Sequence, residues 1–188
     1  RPMRLPELEE SALSEAQREV LQAIRSGPRA SQHGAIGLVG PFGVWVRAPQ
    51  IGNAIQALGA AARYQTELDE AVKEVAICTV GAFYQAKFEF AAHGALARAA
   101  GVSERAVEQL RVGQTPDLPG PQALANRVAR SLLEQHRMDV ATYAEALAEF
   151  GEQGVIELVS VIGYYCLVSL TLNAFEVPVR EGMADPFP

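Results

Sequence analysis

One stretch of this 188-residue chain combines dense apolar sequence with ionisable side chains that are expected to be buried. Glu74, Glu89 and His93 stand within residues 67–101, among valine, isoleucine, alanine and phenylalanine. Ionisable groups among residues that pack into a core destabilise a fold unless they are paired. We therefore expect other groups to compensate these three side chains, and a functional site is one arrangement that does so.

The periodicity of apolar residues predicts an all-α fold. Apolar positions recur at helical spacing along the chain, and no segment alternates as a half-buried strand does. We expect about eight helices in a single domain over residues 1–188, because the sequence has no internal repeat and no linker. The core is expected at about residues 40–178, and residues 1–39 are expected to hold an N-terminal helix and a glycine-rich loop.

The central stretch is long enough for one helix or two. One helix over residues 70–100 would be about 45 Å long and would hold Glu74 and Glu89 about 22 Å apart, too far to share a site. Gly81 is the local hint of a turn, although helices tolerate a single glycine. We predict a helix-turn-helix with its turn near residues 81–85.

Capping residues predict where several helices begin. Gln17 lies three residues after Ser14, which is the spacing of a capping box. Pro49 suits the first turn of a helix, whose buried stripe is expected to contain Ile51, Ile55 and Leu58. Side chains that accept hydrogen bonds from free backbone N–H groups predict four N-caps: Ser14, Asp69, Ser103 and Asp139.

Charge and hydropathy argue against two classes of partner. The net charge is −6, and the 16 Lys and Arg residues are scattered, so we expect no nucleic-acid partner. Residues 158–175 carry no charge and approach the length of a membrane span, but their polar residues favour a buried helix of a bundle or oligomer. The N-terminal sequence has no apolar signal region, and we expect a cytoplasmic protein without membrane association.

The two cysteines are not spaced as a redox motif or a metal-binding motif requires. Cys78 and Cys166 are separated by 88 positions, without a CxxC motif or a Cys/His metal pattern. Both lie in apolar helical sequence, where a free cysteine usually packs as a small core residue. A reducing compartment is consistent with this usage.

Residues 29–47 differ from the rest because they mix glycines with large apolar side chains. Such sequence does not favour one regular helix, and it predicts either a packed loop or a flap over a pocket. Phe42 and Trp45 are accordingly either core residues or substrate-binding residues. The tail after Pro178 is predicted to be irregular, and His33 and His136 are expected to be solvated.

Glu89 and His93 are four residues apart, so a helix places them on one face at about 6 Å. A carboxylate beside an imidazole raises the histidine pKa and selects which ring nitrogen carries a proton. These are the properties of a general acid or base, but such pairs also arise for purely structural reasons. A metal would need at least three ligands, and adding Glu74 gives no usual zinc set. We predict no metal.

Four segments, taken in order, are similar to the carboxymuconolactone decarboxylase family, which includes the alkyl hydroperoxidase D branch. They are residues 40–49 (GPFGVWVRAP), 74–93, 92–116 and 163–178 (GYYCLVSLTLNAFEVP). The resemblance implies an AhpD-like orthogonal helical bundle. It also implies a homotrimer, or a homohexamer built from trimers.

The peroxidase branch of that family carries Cys-x-x-Cys-x-x-x-His, with a glutamate twelve residues before the first cysteine. Aligned on His93, the two cysteine positions are Ala86 and Glu89 here, and the upstream glutamate is Glu74. The acid and the histidine are retained, while both thiols are missing. Because a thiolate is the nucleophile in peroxide reduction, that activity is disfavoured, and Cys78 is a poor replacement.

The decarboxylase-like branch resembles the aromatic-Glu-aromatic-x-x-His pattern of residues 88–93. The resemblance implies cofactor-free loss of CO2 from a small unsaturated lactone acid. It implies His93 as the acid, Glu89 as its partner and Glu74 as a second acid/base or orienting group. Substrate contacts are expected from Phe42, Trp45 and Tyr84. The alternatives are a thiol peroxidase and a non-catalytic oligomer that binds an apolar ligand.

One departure from the family pattern bears on the substrate. Similar sequences often have basic or histidine residues just before the aromatic-Glu element, where this chain has Ala82 and Phe83. A substrate carboxylate would then be bound by Arg47, by Arg63 or by backbone amides. A less charged substrate is the alternative.

Overall fold

The computed structural model describes residues 2–29 and 37–188. In those ranges the chain is helical and has no strand, so the all-α prediction is confirmed. His33 and residues 30–36 of the glycine-rich segment lie outside the described residues. After a short 3-10 turn at Glu10–Ala12, the described helices are α1 (Glu15–Ser26), α2 (Pro41–Val46), α3 (Pro49–Tyr64), α4 (Glu70–Phe83), α5 (Lys87–Ala99), α6 (Glu104–Arg111), α7 (Gly120–Gln135) and α8 (Val140–Ala174).

The predicted caps lie at the helix starts. Ser14 accepts a hydrogen bond from the Gln17 N–H, and the Gln17 side chain accepts one from the Ser14 N–H, which completes the capping box. Ser103 and Asp139 also accept bonds from N–H groups of the first turn. Asp69 precedes α4 as expected, but its side chain makes no capping bond.

Helix α4 is the centre of the fold. It packs against α5, α6, α7 and α8, and every residue from Ala71 to Gly81 is buried. One side of α4 joins α7 and α8 in the main core, while its other side joins α5 and α6 in a second apolar cluster. A helix surrounded in this way loses its amphipathic pattern, which explains why the central stretch is so apolar.

The helix-turn-helix prediction is confirmed, although Gly81, the residue that suggested a turn, does not form it. Gly81 stays helical, and α4 ends only after Phe83. Gln85 adopts a left-handed φ of 51°, and the Ala86 N–H donates to the Gly81 carbonyl at 2.9 Å. This is a Schellman arrangement with glutamine where glycine is usual. Tertiary packing of Ala86, which is fully buried, holds the turn.

Helix α3 buries small residues instead of the expected stripe. Ile51 and Leu58 are 64% and 47% exposed, so the prediction that they face the core is wrong. A Cβ on Gly52 would lie 2.0 Å from the Trp45 carbonyl oxygen. The buried face of α3 therefore has to be small to allow close contact: it contains Gly52, Gln56, Gly59, Ala60 and Ala62.

The glycine-rich segment contains a regular helix, α2, where only a loop or flap was expected. Gly40 precedes it with a φ of 58°, and a Cβ there would lie 2.4 Å from the Phe88 ring. Pro41 follows at the first helical position, where its fixed φ favours helix formation. Burial of Trp45 and Val46 then stabilises a helix of only six residues.

Helix α8 is interrupted at Gly151, whose φ of 72° and ψ of 173° are not helical. By length and composition alone, α8 is long and apolar enough to cross a membrane. Half of its most apolar 18-residue window is buried within the protein, and core helices of soluble proteins meet the same criterion. Its buried side, from Val155 to Leu172, forms one wall of the main core.

Candidate functional site

The helix-turn-helix brings Glu74, Glu89 and His93 together. Nδ1 of His93 lies 2.7 Å from Oε2 of Glu74 on α4, and Nε2 lies 3.0 Å from Oε1 of Glu89 on α5. All three side chains are buried. The imidazole therefore bridges two carboxylates, each within hydrogen-bond distance of one ring nitrogen.

This arrangement favours the imidazolium form of His93. Burial alone lowers the pKa of the ring, but the charges and hydrogen bonds of Glu74 and Glu89 outweigh that effect and raise it to about 9. At neutral pH both nitrogens then carry protons and donate to the carboxylates. The site holds a proton that is stabilised in the folded protein and shared with two acceptors.

A cavity of about 500 Å³ opens beside this group. Glu89 and His93 line it, whereas Glu74 does not and is positioned behind the ring. Helices α2, α3, α5 and α8 contribute to its walls. Its aromatic wall contains Phe42, Trp45, Phe88, Tyr164 and Tyr165.

Three arginines also line the cavity: Arg29, Arg63 and Arg180. Arg29 is buried, lies 5.1 Å from the ring centroid of Phe42 and donates to the Gln56 carbonyl at 3.1 Å. Within residues 2–29 and 37–188, no carboxylate lies in ion-pair distance of any of the three. A buried guanidinium without a carboxylate partner is a ready site for an anion.

The aromatic wall supplies neutral hydrogen-bond donors. Nε1 of Trp45 is buried and has no hydrogen-bond partner in the described part of the chain. Burial raises the pKa of the Tyr164 and Tyr165 hydroxyls above the ordinary value, so both stay protonated. The Tyr165 ring lies 5.0 Å from His93, and the Tyr164 ring lies 4.9 Å from Tyr165. The wall is therefore apolar with a few polar atoms, as ligand sites usually are.

Gly59 allows Tyr164 and Arg29 to approach α3. A Cβ at this position would lie 2.1 Å from the Tyr164 hydroxyl oxygen and 2.7 Å from Nη2 of Arg29. Real Cβ atoms do not show such distances, so a side chain at this position would force Tyr164 or Arg29 to shift. The absence of a side chain at Gly59 therefore determines where two cavity residues lie.

The remaining predicted residues lie elsewhere. Tyr84 is outside the cavity lining, with its ring against Phe83 and its carbonyl bonded to Asn173. Arg47 donates to the Pro6 and Gly43 carbonyls and also lies outside the lining, whereas Arg63 lies within it. His136 is exposed.

Cys78 is fully buried in the second apolar cluster and does not line the cavity. Burial, assisted by the nearby Glu74 and Glu89 carboxylates, raises the pKa of its thiol well above the ordinary value. Among the described residues no cluster of three or more His, Cys, Asp or Glu side chains fits a metal ion. The functional geometry is one of carboxylates, an imidazole and guanidinium groups.

Sequence reasoning missed Arg29, Arg180 and the cavity role of the two tyrosines. Arg29 follows a helix end, and Arg180 lies in the irregular tail, so neither belongs to a motif. Tyr164 and Tyr165 were expected to pack their rings and to form hydrogen bonds through their hydroxyls. The one available signal was Tyr-Tyr in a charge-free helix, which does not distinguish a core position from a cavity wall.

Comparison with known proteins agrees with this architecture. Residues 49–130 match the sequence model of the carboxymuconolactone decarboxylase family. No curated protein matches the sequence. Among solved structures, the chain is similar to the alkylhydroperoxidase AhpD core of an uncharacterized peroxidase-related protein from Ralstonia eutropha JMP134. The TM-score is 0.76 at 20% identity, over 95% of this chain and 93% of that chain.

The two matches cover different features. The structural match concerns the fold over nearly the whole length, since 20% identity carries no more than the fold. The family segment contains Glu74, Glu89 and His93, while Arg29, Trp45 and Arg180 lie outside it. The chain thus has an AhpD-like all-helical fold, and the part of it that contains Glu74, Glu89 and His93, residues 49–130, matches the sequence model of the carboxymuconolactone decarboxylase family.

Proposed function

We propose that this protein is a cofactor-free enzyme of the carboxymuconolactone decarboxylase type, which removes CO2 from, or moves a proton on, a small unsaturated lactone or carboxylic acid. The observation that carries the proposal is the Glu74–His93–Glu89 group, of which His93 and Glu89 line the cavity. A protonated imidazole held between two carboxylates is suited to delivering a proton at neutral pH.

The proposed step needs no group beyond these side chains. When the carboxylate carbon leaves as CO2, the C–C bond pair passes into the conjugated lactone and forms an extended enolate. The proton shared by His93 Nε2 and Glu89 Oε1 is then delivered to carbon, because both groups line the cavity. Glu74 holds the opposite ring nitrogen and keeps the imidazole oriented. Solvent later restores the proton.

The cavity charges favour an anionic substrate. The cavity lining contains three arginines and His93 but a single carboxylate, that of Glu89. A carboxylate bound there gains charge-assisted hydrogen bonds, and the same guanidinium groups stabilise an enolate oxygen as it develops. Arg29 and Arg63 are our candidates for stabilising the enolate oxygen, and Phe42 and Trp45 for the contacts with the carbon skeleton.

The experiment that tests the proposal is turnover of unsaturated lactone acids by the wild type and His93→Gln, followed by CO2 release. We expect His93→Gln to abolish turnover while the helical circular dichroism spectrum is retained. His136→Gln is the matched control, because His136 is exposed and away from the cavity. Unchanged turnover in His93→Gln would end the assignment.

Two further measurements distinguish the proposed lyase from the two alternative functions. Reduction of hydroperoxides that is lost on thiol alkylation would select a peroxidase, which the buried Cys78 does not favour. Ligand-dependent change of Trp45 fluorescence without turnover would select a non-catalytic binding protein. Trp45 is the only tryptophan and lines the cavity, so its emission reports directly on occupancy.

We also propose that the protein acts as a cytoplasmic homo-oligomer, a trimer or hexamer. Exposed apolar side chains on α8, among them Ile156 at 60% and Leu170 at 55% exposure, support a contact between copies. Light scattering coupled to size exclusion should give the oligomer mass for the wild type and a lower mass for Ile156→Glu. A monomeric wild type would contradict the proposal.

A further inference from the structure

The residues that follow α8 form an irregular strap, residues 178–188, which lies along α5. The strap has no helix or strand of its own, so contacts with its neighbours determine its position. Three contacts hold it: the ion pair of Asp185 with Lys87 at 2.7 Å, the hydrogen bond from Arg111 to the Pro186 carbonyl at 3.0 Å, and the edge-on packing of Phe187 against Phe90 with centroids 5.5 Å apart.

A tight turn within the strap presents two side chains to the cavity. The Met183 N–H donates to the Arg180 carbonyl at 3.0 Å, and Gly182 has a φ of 85°. A positive φ at the third position is what a type II turn requires, and glycine adopts it without strain. Arg180 and Met183 both line the cavity, and the Arg180 guanidinium lies 5.7 Å from the Phe88 ring centroid.

Arg180 differs from the two other cavity arginines in its exposure. Arg29 is buried and bonded to Gln56, whereas Arg180 is exposed while lining the cavity. Because Arg180 is both exposed to solvent and part of the lining, it lies at the mouth of the cavity. An incoming anion therefore meets Arg180 before it reaches His93.

A second cavity of about 450 Å³ also borders the strap, and Met183 lines both cavities. The second cavity is also lined by Ala184, Asp185 and Pro186 of the strap. Two part-exposed polar contacts and one aromatic contact hold a segment that borders open space, so the strap can move at low cost.

We propose that the strap is a latched substrate clamp, in which Arg180 binds the carboxylate of the substrate at the cavity mouth and the contacts with Lys87, Arg111 and Phe90 hold it there. This inference deepens the proposed function, on which it rests, by assigning the anion-selective residue of the site. Carboxylate binding is thereby coupled to the position of the strap. A bound carboxylate fixes Arg180 at the mouth, and the latch, which is the set of contacts with Lys87, Arg111 and Phe90, keeps Arg180 there before the ligand binds.

Binding of 2-furoate and of its neutral isostere 2-furamide, measured by calorimetry and Trp45 fluorescence, tests the role of Arg180. We expect Arg180→Gln to weaken furoate binding about tenfold and to leave furamide binding unchanged, since only the carboxylate loses a charge-assisted partner. Arg180→Lys should restore part of the affinity. Arg105→Gln, the same charge change at an exposed arginine outside the cavity lining, is the control.

The latch is tested in the double variant Lys87→Gln/Phe187→Ala, in which Arg180 is intact. Amide hydrogen exchange over residues 179–187 should accelerate, and the preference for furoate over furamide should fall several-fold. Furoate should slow the same exchange in the wild type. A wild type that does not prefer furoate, an Arg180→Gln variant that keeps this preference, or faster exchange with unchanged preference would each overturn the proposal.

These outcomes separate the clamp from the chemistry. If His93→Gln retains turnover while Arg180→Gln loses furoate preference, the proposed reaction fails and the clamp stands. If His93→Gln abolishes turnover while Arg180→Gln binds furoate as the wild type does, the reaction stands and the clamp fails.

Discussion

The bridged imidazole should make the stability of this protein fall between neutral and alkaline pH. Burial lowers the pKa of His93, but Glu74 and Glu89 outweigh it and raise that pKa from 6.5 to about 9. The folded state therefore binds the proton more tightly than the unfolded state. The stabilisation is complete below the unfolded pKa of 6.5 and is lost as the pH rises through about 9.

The size of the effect follows from the same shift. A tenfold change in proton affinity is worth about 1.4 kcal/mol, so the His93 proton contributes about 3 kcal/mol to the free energy of unfolding at low pH. His93 is buried, so solvent screening reduces this value little. Between the two pKa values, stability should decrease by about 1.4 kcal/mol for each pH unit.

The assay is urea denaturation of the wild type and His93→Gln at intervals from about pH 6 to about pH 10. The difference in free energy of unfolding between the two proteins should fall by about 3 kcal/mol from the acidic to the alkaline end. Taking the difference removes contributions from other groups that titrate in both proteins. His136→Gln should follow the wild type. A difference that stays constant with pH would refute the reasoning.

Three further predictions concern individual side chains. Gly59→Ala should lower the free energy of unfolding by about 1–3 kcal/mol and change Trp emission, because the new methyl group overlaps Tyr164. Native Cys78 should resist iodoacetamide and react only after denaturation, since it is fully buried and its thiol pKa is raised. Lys73→Met should cost about 1–3 kcal/mol in urea denaturation, because the Arg63 carbonyl loses the buried ammonium that donates to it.

Local sequence signals predicted the framework well. The capping box at Ser14 and the caps at Ser103 and Asp139 depend on residues that are neighbours in the chain. The helix-turn-helix followed from a different argument, namely that buried charges need partners within reach. That argument was correct although its local cue, Gly81, was not where α4 ended.

Predictions that required knowledge of neighbouring helices were less successful. Ile51 and Leu58 have the spacing of a buried stripe, yet they face outward because α3 has to pack closely against Trp45, Tyr164 and Arg29. Helix α2 formed from sequence that favours loops, since its stability comes from burial in the fold. Propensity and periodicity describe one helix at a time and do not specify which face its neighbours cover.

The sequence by itself determined the helical class and predicted that Glu74, Glu89 and His93 lie together. Both are properties of short-range spacing and of the cost of burying charge. Only the tertiary structure decided that Glu89 faces the cavity and Glu74 does not, and that Arg29, Arg63 and Arg180 line the same cavity. These arginines come from three distant parts of the chain, and their convergence depends on packing over long sequence separations, which no local pattern encodes.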